Sequence, residues 1–302
     1  MPRILARKDP GAFKTLPLHV EATPDGLTYQ ALGLPLNFTQ MLERRRRPVE
    51  VADSQRFAVE LANLGVSVRL TLELQGREYW VLVRQRRLDR GDTVLKLISG
   101  YVPAHELNLP LLTAIQEVAE ECLIETPDGW LGGRFADTWL PTPYQRQLHY
   151  REASHFRLSP LSGAARPVQS GSLTLLERPR AYVHLPTASL QLVYDMSLEL
   201  PRDARQVSFF HVDESLHDGE LVAALERRRP DIYLLPREHG KPTGELLTLR
   251  NGEFKPASTR GVWLSESPLW MRCGRIWDRD LDRCGDATAT FIAATWNSAF
   301  FR

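Results

Sequence analysis

The chain has 302 residues, 43% hydrophobic and 25% charged, with a formal net charge of +1. This is the composition of a soluble globular protein of one large or two moderate domains, long enough to bury its own core. The near-neutral balance argues against a nucleic-acid partner, and no run approaches the ~18 apolar residues of a membrane span. Cys122, Cys273 and Cys284 form no paired framework and no CxxC. The opening MPRILARKDPGAF lacks the apolar stretch of a secretory signal, so a cytoplasmic location is expected.

Residues 1–60 form an N-terminal arm, rich in turn residues and weak in pattern. Within it MLERRRRP (Met41 to Pro48) has the form of a helix end, with arginines in the last turn and a proline stop. ALERRRP (Ala224 to Pro230) repeats the device. Both runs read as solvated helix termini rather than phosphate or RNA patches. VSVRLTLEL then puts Val66, Val68, Leu70, Leu72 and Leu74 in one phase of a half-buried strand. Gln75-Gly76 is a two-residue turn candidate, and REYWVLVRQRR reads as the returning strand.

The spacing predicts a helix from Leu109 to Ile124. Asn108 is suited to the N-cap and Pro110 to the first turn, and Leu111, Ile115, Val118 and Cys122 share a face. TPDG (Thr126 to Gly129) follows as its end. An insertion spans about residues 141–187, carrying one alternating segment and a Pro/Ser/Gly-rich part. SLQLVYDMSLEL and QVSFFHV read as strands, and Asp218 as the cap of a helix reaching Arg229. Residues 233–302 are a C-terminal extension, and the tail after Pro230 has strand-like pieces in DIYLLP, GELLTL and GVWL. Asp278, Asp280 and Asp282 suggest a calcium loop, but Arg283 stands where such a loop needs glycine and Ala289 where it needs glutamate.

Glu117, Glu120 and Glu121 fall within an arc of roughly 100° on the predicted helix, opposite its apolar row. Like charges at these spacings cost about 0.2–0.5 kcal/mol per pair. From Leu97 to Gly133 there are also Glu106, Glu125 and Asp128, and no Lys or Arg. A divalent cation is a simple partner for such a set, because hard cations favour carboxylate oxygens. An exposed acidic face without a ligand is the alternative.

The order strand, Gly100, acidic loop, then Glu117-Val118-x-Glu120-Glu121 resembles the signature box of the Nudix hydrolases. That pattern is glycine, five residues, glutamate, seven residues, then R-E-U-x-E-E-x-G-U with U apolar. Gly100 and Glu106 have the first spacing. Nine residues separate Glu106 from Gln116, Gln116 stands for the arginine, Leu123 for the second glycine, and Ser99 precedes Gly100. The resemblance implies an α/β fold, a Nudix-like mixed β-sheet sandwiched between helices, over about residues 61–232. It implies Mg2+ (or Mn2+) held by Glu117, Glu120 and Glu121, with Glu117 and Glu121 catalytic. Gly100 would let the backbone approach the metal and substrate, and Glu106 would act from the loop. The implied activity is hydrolysis of a pyrophosphate linkage in a nucleoside diphosphate derivative, with a small nucleotide as partner and a homodimer admitted. The altered positions leave a second reading open, a protein of the same fold that senses a nucleotide or binds a partner without cleavage.

A further acid is expected from elsewhere, with Glu152, Asp195 and Glu199 as strand candidates. His105, His149 and His155 read as ordinary histidines. Trp130, Trp139, Tyr144 and Tyr150 could stack on a base, although core packing explains aromatic residues more often.

Overall fold

Strict alternation sets the central strand, Asn63–Leu74, whose Val66, Val68, Leu70 and Leu72 are fully buried. Removing each such side chain from water is worth about 1.5–3 kcal/mol. Gln75 and Gly76 both have positive φ (55° and 72°), the twist required by a two-residue hairpin, and Leu74 pairs with Arg77 of the returning strand Arg77–Arg86. The computed structural model describes residues 2–47, 49–51, 56–86, 93–161, 168–175, 179–184, 187–238, 241–242 and 246–257, and short strands at 263–264, 270–272 and 275–277. Cys273, Cys284 and the Asp278 to Asp282 segment lie outside the described residues.

Strand Ser189–Glu199 runs parallel to the central strand, from Ser189 opposite Asn63 to Leu198 opposite Leu72. Ile98–Tyr101 and Arg77–Arg86 run antiparallel to it, so the sheet is mixed as expected. Among the described residues it extends to 18 strands, and a second sheet of five strands is built mainly from the N-terminal region. There Leu18, Val20, Ala22, Leu27 and Tyr29 point into the same core as Val66 and Val68, and Ala114, Val118 and Ala119 of the acidic helix reach it too.

The expected helix-sandwiched α/β architecture is not what forms. Strands take up 58% of the described residues and helices 12%. Among the described residues there are two α-helices, α1 (Phe38–Arg45) and α2 (Pro110–Glu121). The helix expected from Asp218 to Arg229 is instead strand Glu220–Leu225. It pairs with Ser208–His217 on one side and with the N-terminal strand Arg3–Lys8 on the other. Asp218 and Gly219 have φ of 49° and 83° and form a hairpin turn, so Asp218 caps nothing.

The arginine run at Met41 does close α1, with Arg44 and Arg45 in its last turn. Asn37 and Gln40 supply a reciprocal capping box at its start.

Candidate functional site

The helix α2 is shorter than its periodicity predicts. It ends at Glu121, and Cys122–Thr126 leaves as a strand pairing with Ser208–His217, Cys122 opposite His211. Cys122, Leu123 and Ile124 are all buried, which a strand covered on both faces satisfies and an amphipathic helix does not. The turn at Pro127-Asp128 therefore joins two strands instead of closing a helix. Pro110 opens the helix as expected. Asn108 does not cap it; its Oδ1 accepts a hydrogen bond from Ser170 at 2.8 Å.

Strand Ile98–Tyr101 carries Gly100 directly against α2. A Cβ at Gly100 would lie 1.8 Å from Oε1 of Glu117, so glycine is what lets this carboxylate press on the backbone. Glu120 and Glu121 continue the same end of the helix. Glu120 Oε2 accepts from Lys8 Nζ at 2.7 Å, and the same ammonium lies 2.8 Å from Glu214 Oε1. Glu121 Oε1 lies 3.7 Å from Lys96 Nζ, which also donates to the hydroxyl and carbonyl oxygens of Ser99. Glu121 Oε2 has no hydrogen-bond partner, and His211 Nε2 stands 3.9 Å from it. His211 is buried and neither ring nitrogen is hydrogen-bonded. The backbone of Arg84 faces its ring outside hydrogen-bond geometry.

The charges are not balanced. Among the described residues, Glu117, Glu120, Glu121 and Glu214 face two ammonium groups, Lys8 and Lys96, a formal excess of two negative charges. Burial holds Glu117 well above the ordinary carboxylate range, and Glu121 and Glu120 add to it. Burial pushes Glu121 up to about 7, partly offset by Lys96. Asp213, beside Glu214, is pushed up to about 6 by burial and by Asp231, and its Oδ1 is also without a hydrogen bond. Burial draws Lys8 down, but Glu214 and Glu120 outweigh it and hold the ammonium above its ordinary value.

The predicted residues divide unevenly. Glu117, Glu120, Glu121 and Gly100 come together. Glu106 is buried and accepts from Thr113 Oγ1 at 2.6 Å, with His105 at 3.6 Å, and so ties the loop to the helix. Asp195 is held by Arg69 at 2.6 Å and Arg180 at 3.1 Å, and Glu152 and Glu199 are exposed. The acid that joins the helix is Glu214, with Asp213 beside it. The signal was the DES following the strand residues FFHV, on the strand that receives Cys122. The compensating cations, Lys8 and Lys96, come from strands outside the acidic stretch.

Of the aromatic candidates, Trp130 packs on Phe210 in a core of its own. Trp139 is exposed, its ring centroid 4.9 Å from that of His155 in an edge-on arrangement and 5.1 Å from the Arg134 guanidinium carbon. Burial holds the Tyr144 phenol well above its ordinary range, and Glu120 and Glu214 add to the shift.

As the side chains stand, no group of three or more His, Cys, Asp or Glu among the described residues is arranged to hold a metal ion. Lysines sit between the carboxylates instead. No protein-family model matches the chain, and no curated protein matches it. Among the described residues, no helix is long and apolar enough to cross a membrane.

Proposed function

We propose that the protein binds a divalent cation, Mg2+ or Mn2+, at Glu117, Glu120, Glu121 and Glu214 and hydrolyses a pyrophosphate linkage in a nucleoside diphosphate derivative. The observation that carries this is the under-compensated pair Glu117 and Glu121. Glu117 is pressed on the bare backbone of Gly100, and Glu121 keeps one oxygen without a hydrogen bond. An oxygen-only set of four carboxyl groups facing two ammonium groups, free to ionise when a cation arrives, suits a hard divalent ion. The order Gly100, Glu117, Glu120, Glu121 resembles the Nudix box, which supports the same chemistry without the flanking helices of that fold. The ion supplies charge neutralisation of the diphosphate and acidifies a water. Glu117 is the candidate to take that water's proton, because burial and its neighbours raise its proton affinity above that of an ordinary carboxylate. A small nucleotide in the cytoplasm is the partner, and the free thiol of buried Cys122 accords with a reducing compartment.

Lys96 favours a second reading. It bonds Ser99 and approaches Glu121, so a resident ammonium already serves oxygens that an ion would use. A site locked in that state would bind a nucleotide without cutting it.

Turnover of a panel of dinucleotides with Mg2+ or Mn2+ separates the two. Hydrolysis that falls roughly 10²–10⁴-fold in Glu120→Gln and Glu121→Gln supports the hydrolase. Nucleotide binding with no turnover in either metal supports the sensor.

A further inference from the structure

The N-terminal strand Arg3–Lys8 is not a loose arm. Its ladder with Glu220–Leu225 runs from Arg3 opposite Leu225 to Lys8 opposite Leu221. Leu5 is buried with Phe210 and Tyr144. Arg7 pairs with Glu220 at 2.8 Å, and immediately after Lys8 the Asp9 side chain accepts from Gly11 N and caps a short turn. Lys8 is therefore delivered to one place by a fixed backbone, with only its aliphatic stem free to move. At that place its Nζ sits between Glu120 Oε2 at 2.7 Å and Glu214 Oε1 at 2.8 Å, on a side chain still 42% exposed.

An ammonium between two carboxylates occupies the position a divalent ion would take, and two cations do not share it at that range. The cluster also holds His211, 3% exposed, with both ring nitrogens unpartnered and Nε2 turned toward Glu121. Its carboxylates thus face an unfinished set of contacts as well as one another.

We infer that Lys8 is an exchangeable internal counter-ion: it holds Glu120 and Glu214 in the metal-free protein and is expelled from between them when a divalent cation binds. The inference rests on the divalent reading above. It makes cation affinity a property of the N-terminal strand as well as of the acidic helix. The released ammonium stays beside the site, tethered by the strand ladder, where it can meet an anionic diphosphate.

Mn2+ titration of the full chain, followed by the loss of free-ion paramagnetic signal, tests the exchange. Lys8→Met keeps the stem and removes the charge, and it should bind Mn2+ at least about tenfold more tightly than the wild type, with Lys8→Arg near the wild type. Wild-type binding that Lys8→Met leaves unchanged or weakens overturns the exchange while leaving the divalent site standing. Absence of Mn2+ binding in every form overturns both.

A second measurement uses unmutated protein and so does not depend on the variant folding. The chain has five lysines, Lys8, Lys14, Lys96, Lys241 and Lys255, few enough to resolve after lysine-selective isotope labelling. Saturating Mg2+ should move the Lys8 side-chain resonance toward that of exposed Lys14. Calorimetric Mg2+ binding with a stationary Lys8 resonance is the contrary result.

Discussion

His211 Nε2 and Glu121 Oε2 face each other at 3.9 Å, beyond hydrogen-bond range, and neither atom has another hydrogen bond. Burial drives the two groups in opposite directions, His211 down to about 3 and Glu121 up to about 7. Their contributions to stability therefore have opposite signs. His211 stays neutral in the fold but protonates in the unfolded chain below its ordinary value of 6.5, so its contribution is lost as pH falls from 6.5 toward 3. Glu121 keeps its proton in the fold but ionises in the unfolded chain above 4.5, so its contribution is lost as pH rises from 4.5 toward 7. In urea titrations with chelator, wild type should lose about 1.4 kcal/mol per pH unit relative to His211→Gln on acidification through the first window. Relative to Glu121→Gln it should lose a similar amount on raising pH through the second. Parallel curves for wild type and variants would show that neither group titrates abnormally.

Local pattern carried the readable part of this fold. The central strand, the Gln75-Gly76 hairpin and most of α2 announce themselves within a dozen residues, through alternation, turn chemistry or helical spacing. What failed was non-local. Cys122 continues the helical period, yet it pairs with His211, and burial on both faces at Cys122 to Ile124 overrides helix propensity. The three glutamates were legible because they lie on one helix. Lys8 comes from 112 residues away, and Glu214 through a strand pairing that no spacing encodes. Lys96 stood one position before the stretch without basic residues, at the end of a separate strand. At Asp218-Gly219 two local signals compete, and Asp-Gly between apolar segments favours a tight hairpin over a helix start.

Gly219→Ala turns that last point into a test of sign. At the first position of a helix capped by Asp218 the change would be neutral or stabilising, because alanine is the better helix former. Gly219 has φ of 83° in the hairpin, with open space where a Cβ would go, so the cost is backbone strain without a clash. We expect a destabilisation of about 1 kcal/mol or more by urea unfolding. A gain in stability would restore the helix.

Gly100→Ala separates folding from the site. The added methyl would meet Oε1 of Glu117 at 1.8 Å and its Cδ at 2.1 Å, the far end of a flexible side chain. The side chain can swing away, so the fold should survive with a loss of roughly 1–3 kcal/mol. Displacing this carboxylate should weaken Mn2+ binding about tenfold or more. A variant that folds and binds Mn2+ with unchanged affinity would remove Glu117 from the ligand set.

Asp195→Asn asks whether a strand acid outside the cluster contributes to the site. Asp195 lies between Arg69 and Arg180, at 2.6 Å and 3.1 Å, with about a fifth of its side chain exposed. Removing its charge leaves the two half-buried guanidinium groups without this carboxylate. Fully buried pairs cost 3–5 kcal/mol to break, and partial exposure reduces that to roughly 2 kcal/mol here. We expect that loss in urea unfolding, together with wild-type Mn2+ affinity and wild-type turnover. Should turnover fall a hundredfold while stability holds, Asp195 and not Glu214 would be the acid that completes the site, and the pairing that brings Ser208–His217 against α2 would lose its functional meaning.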